Sequence, residues 1–306
     1  MNIQQLRYFL VLGEELHFRR AAARLHLSQP ALSRAVQQLE GVLGFALFQR
    51  DNRNVALTPA GRQYLDGCQS MLATLDMTTA RAQRTAKGDI GQVRIGYTDI
   101  AVAGILPNVV RSFRSTYPDI TIAANHGCSQ AQIDDLEADR LDVGFLTGPW
   151  SREGYETWTV QTDAFVAVLP ERHRLVLKPE LSLTDFVNEP FVMGEPRFWG
   201  HFDAHLQALC RTVGFEPRVV QYASNNEGIL GLVACGMGVS IQAETIQTSL
   251  RSGVVIRNIG DAFPRVPTVA AWRTTPDNPV TLRLVRHIIA LYENPRIASS
   301  SMLPES

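Results

Sequence analysis

Residues 18–40, FRRAAARLHLSQPALSRAVQQLE, constrain this chain more than any other stretch: two short helical patterns flank a tight turn. In the second, Leu32, Val36, Leu39 and Leu43 recur at steps of four, three and four, the spacing of one face of an α-helix. That stripe faces a core. Gln29, Pro30, Ser33, Arg34 and Gln37 remain on the outer side near the start, polar apart from a proline suited to a first turn, with no carboxylate among them. Ser28 stands where an N-cap belongs. Such a helix offers amides and short polar groups to a phosphate backbone and base edges. In the preceding pattern, residues 18–26, Ala21, Ala22 and Ala23 permit a close helix crossing, and Arg19, Arg20 and Arg24 lie outside. A helix-turn-helix needs this combination. An ordinary αα-hairpin with a solvated polar face satisfies the same spacing.

The chain from Leu6 to Leu65 resembles, without a gap, the N-terminal region of LysR-type transcriptional regulators. Three signatures carry the resemblance: AAARLHLSQPALS read as AAxxLHxSQPALS, the LExxLGxxLFxR run from Leu39 to Arg50, and LTPAG from Leu57 to Gly61. The remainder resembles that family's effector-binding domain more loosely. The resemblance implies a DNA-binding transcriptional regulator controlled by a small-molecule effector. Its fold class is α/β: an all-α winged helix-turn-helix, then a long linker helix and a two-lobed, periplasmic-binding-protein-like effector domain.

The chain has 306 residues, 45% hydrophobic and 19% charged, enough for a small domain plus one or two larger ones. MNIQQLRYFL lacks the pattern of a signal peptide, and no apolar run reaches membrane-spanning length. Cys68, Cys128, Cys210 and Cys235 are widely spaced, against both a zinc site and a disulfide scaffold. A cytoplasmic location is expected, with no cofactor, no metal and no membrane partner. Net charge is −1, but residues 1–87 hold eleven Lys and Arg against six Asp and Glu, leaving eighteen against twenty-four for the rest. The basic excess lies at the end expected to meet DNA.

A first helix over residues 3–13 turns Leu6, Phe9 and Leu10 inward and Arg7 and Tyr8 outward. After the recognition helix, QRDNRNVALT reads as a wing with an Asp-Asn turn; the resemblance assigns Arg53 to the minor groove, and Arg50 is either a DNA contact or a salt-bridge partner. Thr58-Pro59 opens a helix that runs to about Lys87. Gly61, Leu65, Cys68, Leu72, Leu75, Thr79 and Ala82 form a heptad seam along it, which wants a partner helix. The expected layout is 1–58 winged helix-turn-helix, 59–87 dimerisation linker, 88–91 hinge and 92–306 effector domain. Lobe I takes about 92–161 and 268–294, and lobe II about 162–267.

Past the hinge, short β-branched runs alternate with amphipathic helices in a parallel α/β pattern: VRIGYT, a helix over 101–116, DITIAAN, a helix over 130–140, and LDVGFL. DAFVAVLP, PFVMG, a helix over 200–213, PRVVQYA, a helix over 227–235 and GVSIQ repeat it; PTVAAWR and a helix over 278–293 return to the first half. Ligands bind such sheets at the carboxyl ends of strands. The resemblance carries over effector positions there: Thr98 and Asp99 after the first strand, Cys128 and Ser129 after the second, Thr147 after the third, then Phe198, Trp199, His201, Asn225 and Asn226 in lobe II. Asp99 is a departure, standing where the family commonly has a hydroxyl. It repels an anionic effector unless Thr98 takes over the contact or Asp99 caps the helix. Each position also has a structural reading, as cap or lobe packing.

No Gly-x-Ser-x-Gly elbow, Walker loop or His-Glu-x-x-His is present, so no enzyme is expected. Two rival readings share the architecture: a solute-binding lobe pair with a helical module that does not bind DNA, and a nonspecific nucleoid protein. The partners expected are double-stranded DNA through Gln29, Pro30, Ser33, Arg34 and Arg53, a small-molecule effector, a second copy in a dimer or tetramer, and RNA polymerase.

Overall fold

The computed structural model describes residues 1–50, 55–249, 251–260 and 263–293. The chain divides into two compact units, residues 1–84 and 85–306.

In the first unit, α1 (Ile3–Glu15), α2 (Phe18–Arg24) and α3 (Gln29–Leu43) pack around Leu6, Phe9, Leu12, Ala21, Leu32, Val36 and Leu39. The expected stripe of α3 is confirmed: Leu32 and Leu39 are fully buried. Each such side chain contributes about 1.5–3 kcal/mol through the water it sheds. On α1 the inward set is Leu6, Phe9 and Leu12; Leu10 and the supposedly outward Tyr8 are both half-buried. Ser28 accepts from the Ala31 amide at 3.4 Å and so caps α3, and His17 caps α2. β1 (Phe48–Arg50) and β2 (Val55–Leu57) pair antiparallel as the stem of the wing. Its tip, with Arg53, lies outside the described residues, as does the Arg50 side chain.

Thr58 accepts from the Gly61 amide at 2.8 Å and opens α4 (Pro59–Ala86). Gly61 permits close passage, since a Cβ there would sit 2.0 Å from the Leu47 carbonyl oxygen. The seam splits in two: Gly61, Cys68 and Leu72 are buried against the first unit, whereas Leu75, Thr79 and Ala82 are exposed.

In the second unit a five-stranded sheet has the order β4-β3-β5-β12-β6. β3 (Gly91–Tyr97) runs parallel to β4 (Ile120–His126) and β5 (Val143–Thr147). β12 (Val266–Arg273) inserts antiparallel between β5 and β6 (Tyr155–Asp163). The helix expected over 101–116 is two helices, α5 (Asp99–Ala103) and α6 (Leu106–Thr116). Pro107 lacks the amide needed to continue one helix through, and Gly104 leaves helical dihedrals where a Cβ would fall 2.2 Å from Gln161. α7 (Ser129–Glu137) and α10 (Pro279–Glu293) complete this lobe. At its base Asp142, buried, accepts from the Arg94 amide at 2.6 Å, the Arg94 guanidinium at 2.8 Å and Asn278 at 3.2 Å.

The chain crosses at residue 164 into a second lobe. There β7 (Phe165–Pro170) pairs antiparallel with both β10 (Ser240–Ala243) and β11 (Val254–Asn258). β8 (Pro190–Gly194) and β9 (Arg218–Ala223) are parallel, and a Phe191–Val239 bridge links the two sets. The wholly parallel pattern expected here is therefore corrected: β10 and β11 run antiparallel to β7. α8 (Pro196–Thr212) and α9 (Asn226–Ala234) cover this lobe. No described helix is long and apolar enough to cross a membrane.

Candidate functional site: a polar helix edge and an interlobe cavity

The first candidate surface is the N-terminal edge of α3. Gln29, Pro30, Arg34 and Gln37 are exposed and Ser33 is half-buried. The Arg34 guanidinium donates to the Pro30 carbonyl at 3.4 Å and meets no carboxylate among the described residues. Two of the three arginines of α2 differ. Arg24 contacts Glu14 at 2.7 Å and Arg20 contacts Glu15 at 3.2 Å, so the basic charge expected on α2 is partly neutralised by the end of α1. Arg19, the third arginine of α2, is exposed and meets no carboxylate among the described residues, so the positive charge left here is shared between α2 and Arg34 of α3. A helix N-terminus without competing carboxylates favours phosphate.

The second candidate is a cavity of about 390 Å³ in the second unit, between the carboxyl ends of β3, β4 and β5 and the N-terminal ends of α8 and α9. Nine of the effector positions expected from the sequence line it, Thr98, Asp99, Cys128, Ser129, Thr147, Phe198, Trp199, His201 and Asn225; the tenth, Asn226, is buried at the start of α9 and is not among the lining residues. His126, Ile100, Phe202 and Ser224 also line it and were missed. His126 is the last residue of β4, so the rule that ligands meet strand carboxyl ends could have found it.

Each polar group has a defined local role. Thr98, not Asp99, caps α5: its hydroxyl accepts from the Ala101 amide at 3.3 Å. The Asp99 carboxylate therefore turns elsewhere, and its Oδ2 lies 3.3 Å from His126 Nε2. Burial pushes the Asp99 carboxyl above its ordinary range, and His126 opposes the shift. Cys128 Sγ accepts from the Ala131 amide at 3.5 Å to cap α7, and Asn225 Oδ1 accepts from Gly228 at 2.8 Å to cap α9. Ser129 Oγ accepts from the Thr147 amide at 3.0 Å, tying α7 to the end of β5.

On the lobe II side Trp199 is buried and donates from Nε1 to the Ser224 carbonyl at 3.2 Å. Gly194 makes room for the indole, since a Cβ there would fall 2.1 Å from Trp199 Cγ. Phe202 meets the same ring edge-on at 5.8 Å. His201 Nδ1 is buried without a hydrogen-bond partner among the described residues. Desolvation, with His205 nearby, lowers the His201 pKa and favours the neutral ring. Apolar walls with a few convergent polar groups make a small-molecule site.

Comparison with known proteins matches both units. Residues 3–62 match the family described as bacterial regulatory helix-turn-helix protein, lysR family, and residues 86–292 match the LysR substrate binding domain. The chain is 31% identical over 289 residues to the HTH-type transcriptional regulator AlsR of Bacillus subtilis (strain 168), covering 94% of each chain. It is 36% identical over 244 residues to the uncharacterized HTH-type transcriptional regulator YnfL of Escherichia coli (strain K12), covering 79% of this chain and 82% of that one. The crystal structure of CbnR, a LysR family transcriptional regulator, superposes with a TM-score of 0.79 at 26% identity, covering 94% of this chain and 100% of that one. A polar recognition edge and a two-lobed cavity thus occur in a chain matched along nearly its whole length, and the protein belongs to the LysR family of DNA-binding transcriptional regulators.

Proposed function

We propose that this regulator docks the α3 edge of each protomer into the major groove, and that a small molecule bound between its lobes controls the outcome. Gln29, Ser33 and Arg34 supply base or phosphate contacts, Pro30 an apolar contact, and Arg53 a wing contact in the minor groove. Residues 1–58 read DNA, 59–87 dimerise, 88–91 form the hinge and 92–306 sense the effector. The observation that carries the DNA reading is the exposed α3 edge, on which Arg34 meets no carboxylate among the described residues. CbnR complexed with its target DNA shares the fold at a TM-score of 0.81.

Self-association runs through the exposed half of the α4 seam, Leu75, Thr79 and Ala82, where Leu75 is 38% exposed. A dimer, or a dimer of dimers, places recognition helices in successive major grooves. Effector binding then shifts the population between two arrangements of the linker helices, altering DNA bending and contact with RNA polymerase; this requires different effector affinities for the two arrangements. Such a protein acts where the chromosome is, in the cytoplasm, and catalyses no reaction.

Selection of bound fragments from genomic DNA, followed by footprinting and fluorescence anisotropy, tests the reading. A partly symmetric protected site is expected, and Arg34→Ala weakens binding to it by about 1–3 kcal/mol with thermal stability intact. Uniform coating of DNA, or no retained fragment at low ionic strength, refutes it.

A further inference from the structure

The cleft walls carry an unusual charge inventory for a site built from helix N-termini. Among the described residues that line it, Asp99 is the one carboxylate, His126 and His201 are the imidazoles, and there is no Lys or Arg. The Asp99 side chain is 23% exposed and has one side-chain partner among the described residues, the half-exposed His126. When His126 donates its Nε2–H to Oδ2, the negative charge stays on Asp99, a carboxylate that lines the cavity and keeps acceptor sites beyond that one bond.

One backbone amide at each of three helix N-termini, and the amide that ends β5, is taken by a side chain of the cleft. The Ala101, Ala131 and Gly228 amides donate to Thr98, Cys128 and Asn225, and the Thr147 amide donates to Ser129. A carboxylate ligand would meet like charge at Asp99, with no Lys or Arg in the described lining to offset it. Trp199 likewise has its N–H committed to the Ser224 carbonyl, so it contributes apolar and π surface and no donor. Phe198 and Phe202 extend that aromatic wall.

We propose that this cleft selects a small organic cation, an ammonium or amidinium carried on an apolar or aromatic body, with Asp99 as its counter-ion. The inference rests on the interlobe cavity being the effector site. The cation forms a charge-assisted hydrogen bond to Asp99, and the body lies against the Trp199, Phe198 and Phe202 rings.

The test is calorimetric titration of the full-length protein with three probes of equal ring and similar reach: phenethylammonium, phenethyl alcohol and 3-phenylpropanoate. The expected order of affinity is ammonium, alcohol, carboxylate. Asp99→Asn weakens the ammonium by about tenfold or more and leaves the alcohol nearly unchanged. Ala131→Trp, which fills the cavity from α7, abolishes binding of every probe while the thermal midpoint holds. If 3-phenylpropanoate binds most tightly and Ala131→Trp removes it, the cavity is the effector site and the cation assignment is wrong. If the ammonium binds equally to wild type and Ala131→Trp, the cavity reading itself fails. Silence of all three probes at about 10 mM, or an unchanged ammonium affinity in Asp99→Asn, also overturns the proposal.

Discussion

Asp203 makes the stability of this protein depend on pH in a direction opposite to that of an ordinary salt-bridged carboxylate. It sits on α8, 5% exposed, and its Oδ1 has no hydrogen-bond partner among the described residues. Desolvation alone pushes its carboxyl from 3.8 to about 7. The folded state therefore holds the proton more tightly than the unfolded chain does. The carboxyl costs nothing below the unfolded value, and its penalty grows between about pH 4 and pH 7 and is constant above. At 1.36 kcal/mol per unit, the difference between those two values is about 4 kcal/mol at full extent, reduced by any water or relaxation that reaches the carboxylate. Asp203→Asn keeps the shape and cannot ionise. Its advantage over wild type is expected to be about 4 kcal/mol larger near pH 8 than near pH 4, and about 2.5 kcal/mol larger than near pH 5. Any pH-independent cost of burying the amide cancels in that difference. Urea denaturation followed by tryptophan fluorescence measures it cleanly, because Trp150, Trp158, Trp199 and Trp272 all belong to the second unit. A stability difference between Asp203→Asn and wild type that stays constant from pH 5 to pH 8 would refute the reasoning.

Three further outcomes follow from packing. Leu32→Ala empties a fully buried position between the first-unit helices and should cost about 2–5 kcal/mol. Loss of far-UV helix signal and of DNA binding, with tryptophan emission unchanged, is expected; unaltered melting of the first unit argues against it. Gly194→Ala drives a methyl into Trp199, and since the indole is tethered to Ser224, about 1–3 kcal/mol of overpacking and weaker cleft binding should follow, read by fluorescence and calorimetry. Normal Trp199 emission and normal binding would show that the ring has room. Leu75→Asp places a charge in the exposed half of the α4 seam and should shift sedimentation toward monomer without lowering helix content; an unchanged oligomer removes α4 from the interface.

The recognition edge was legible because its information is local. Leu32, Val36 and Leu39 point one way by helical geometry alone, Ser28 caps within one turn, and Gln29 and Arg34 are left outside by elimination. The cavity was legible in outline for a related reason: β3, β4 and β9 are each followed by a helix N-terminus, so Thr98, Cys128 and Asn225 fall at the carboxyl ends of their strands. What the patterning did not carry was the break at Gly104, which depends on Gln161 across the sheet. Nor did it carry the strand β6, whose alternation is too polar to announce itself, or the antiparallel pairing of Val166 with Asn258. Leu75 marks another limit: a heptad seam is visible in the sequence, but which half of it is covered by the protomer itself is not.

The amino-acid sequence alone determined the helices, their caps and their polar faces, since these depend on residues within a turn or two of one another. Only the tertiary structure decided that Asp99 meets His126, that Ser129 takes the Thr147 amide at the end of β5, and that Asp203 is buried without a hydrogen-bond partner for its Oδ1 among the described residues. The physical reason is that solvation and charge at a site are sums over every neighbour in space. Those neighbours come from segments far apart in sequence, brought together when the sheets close.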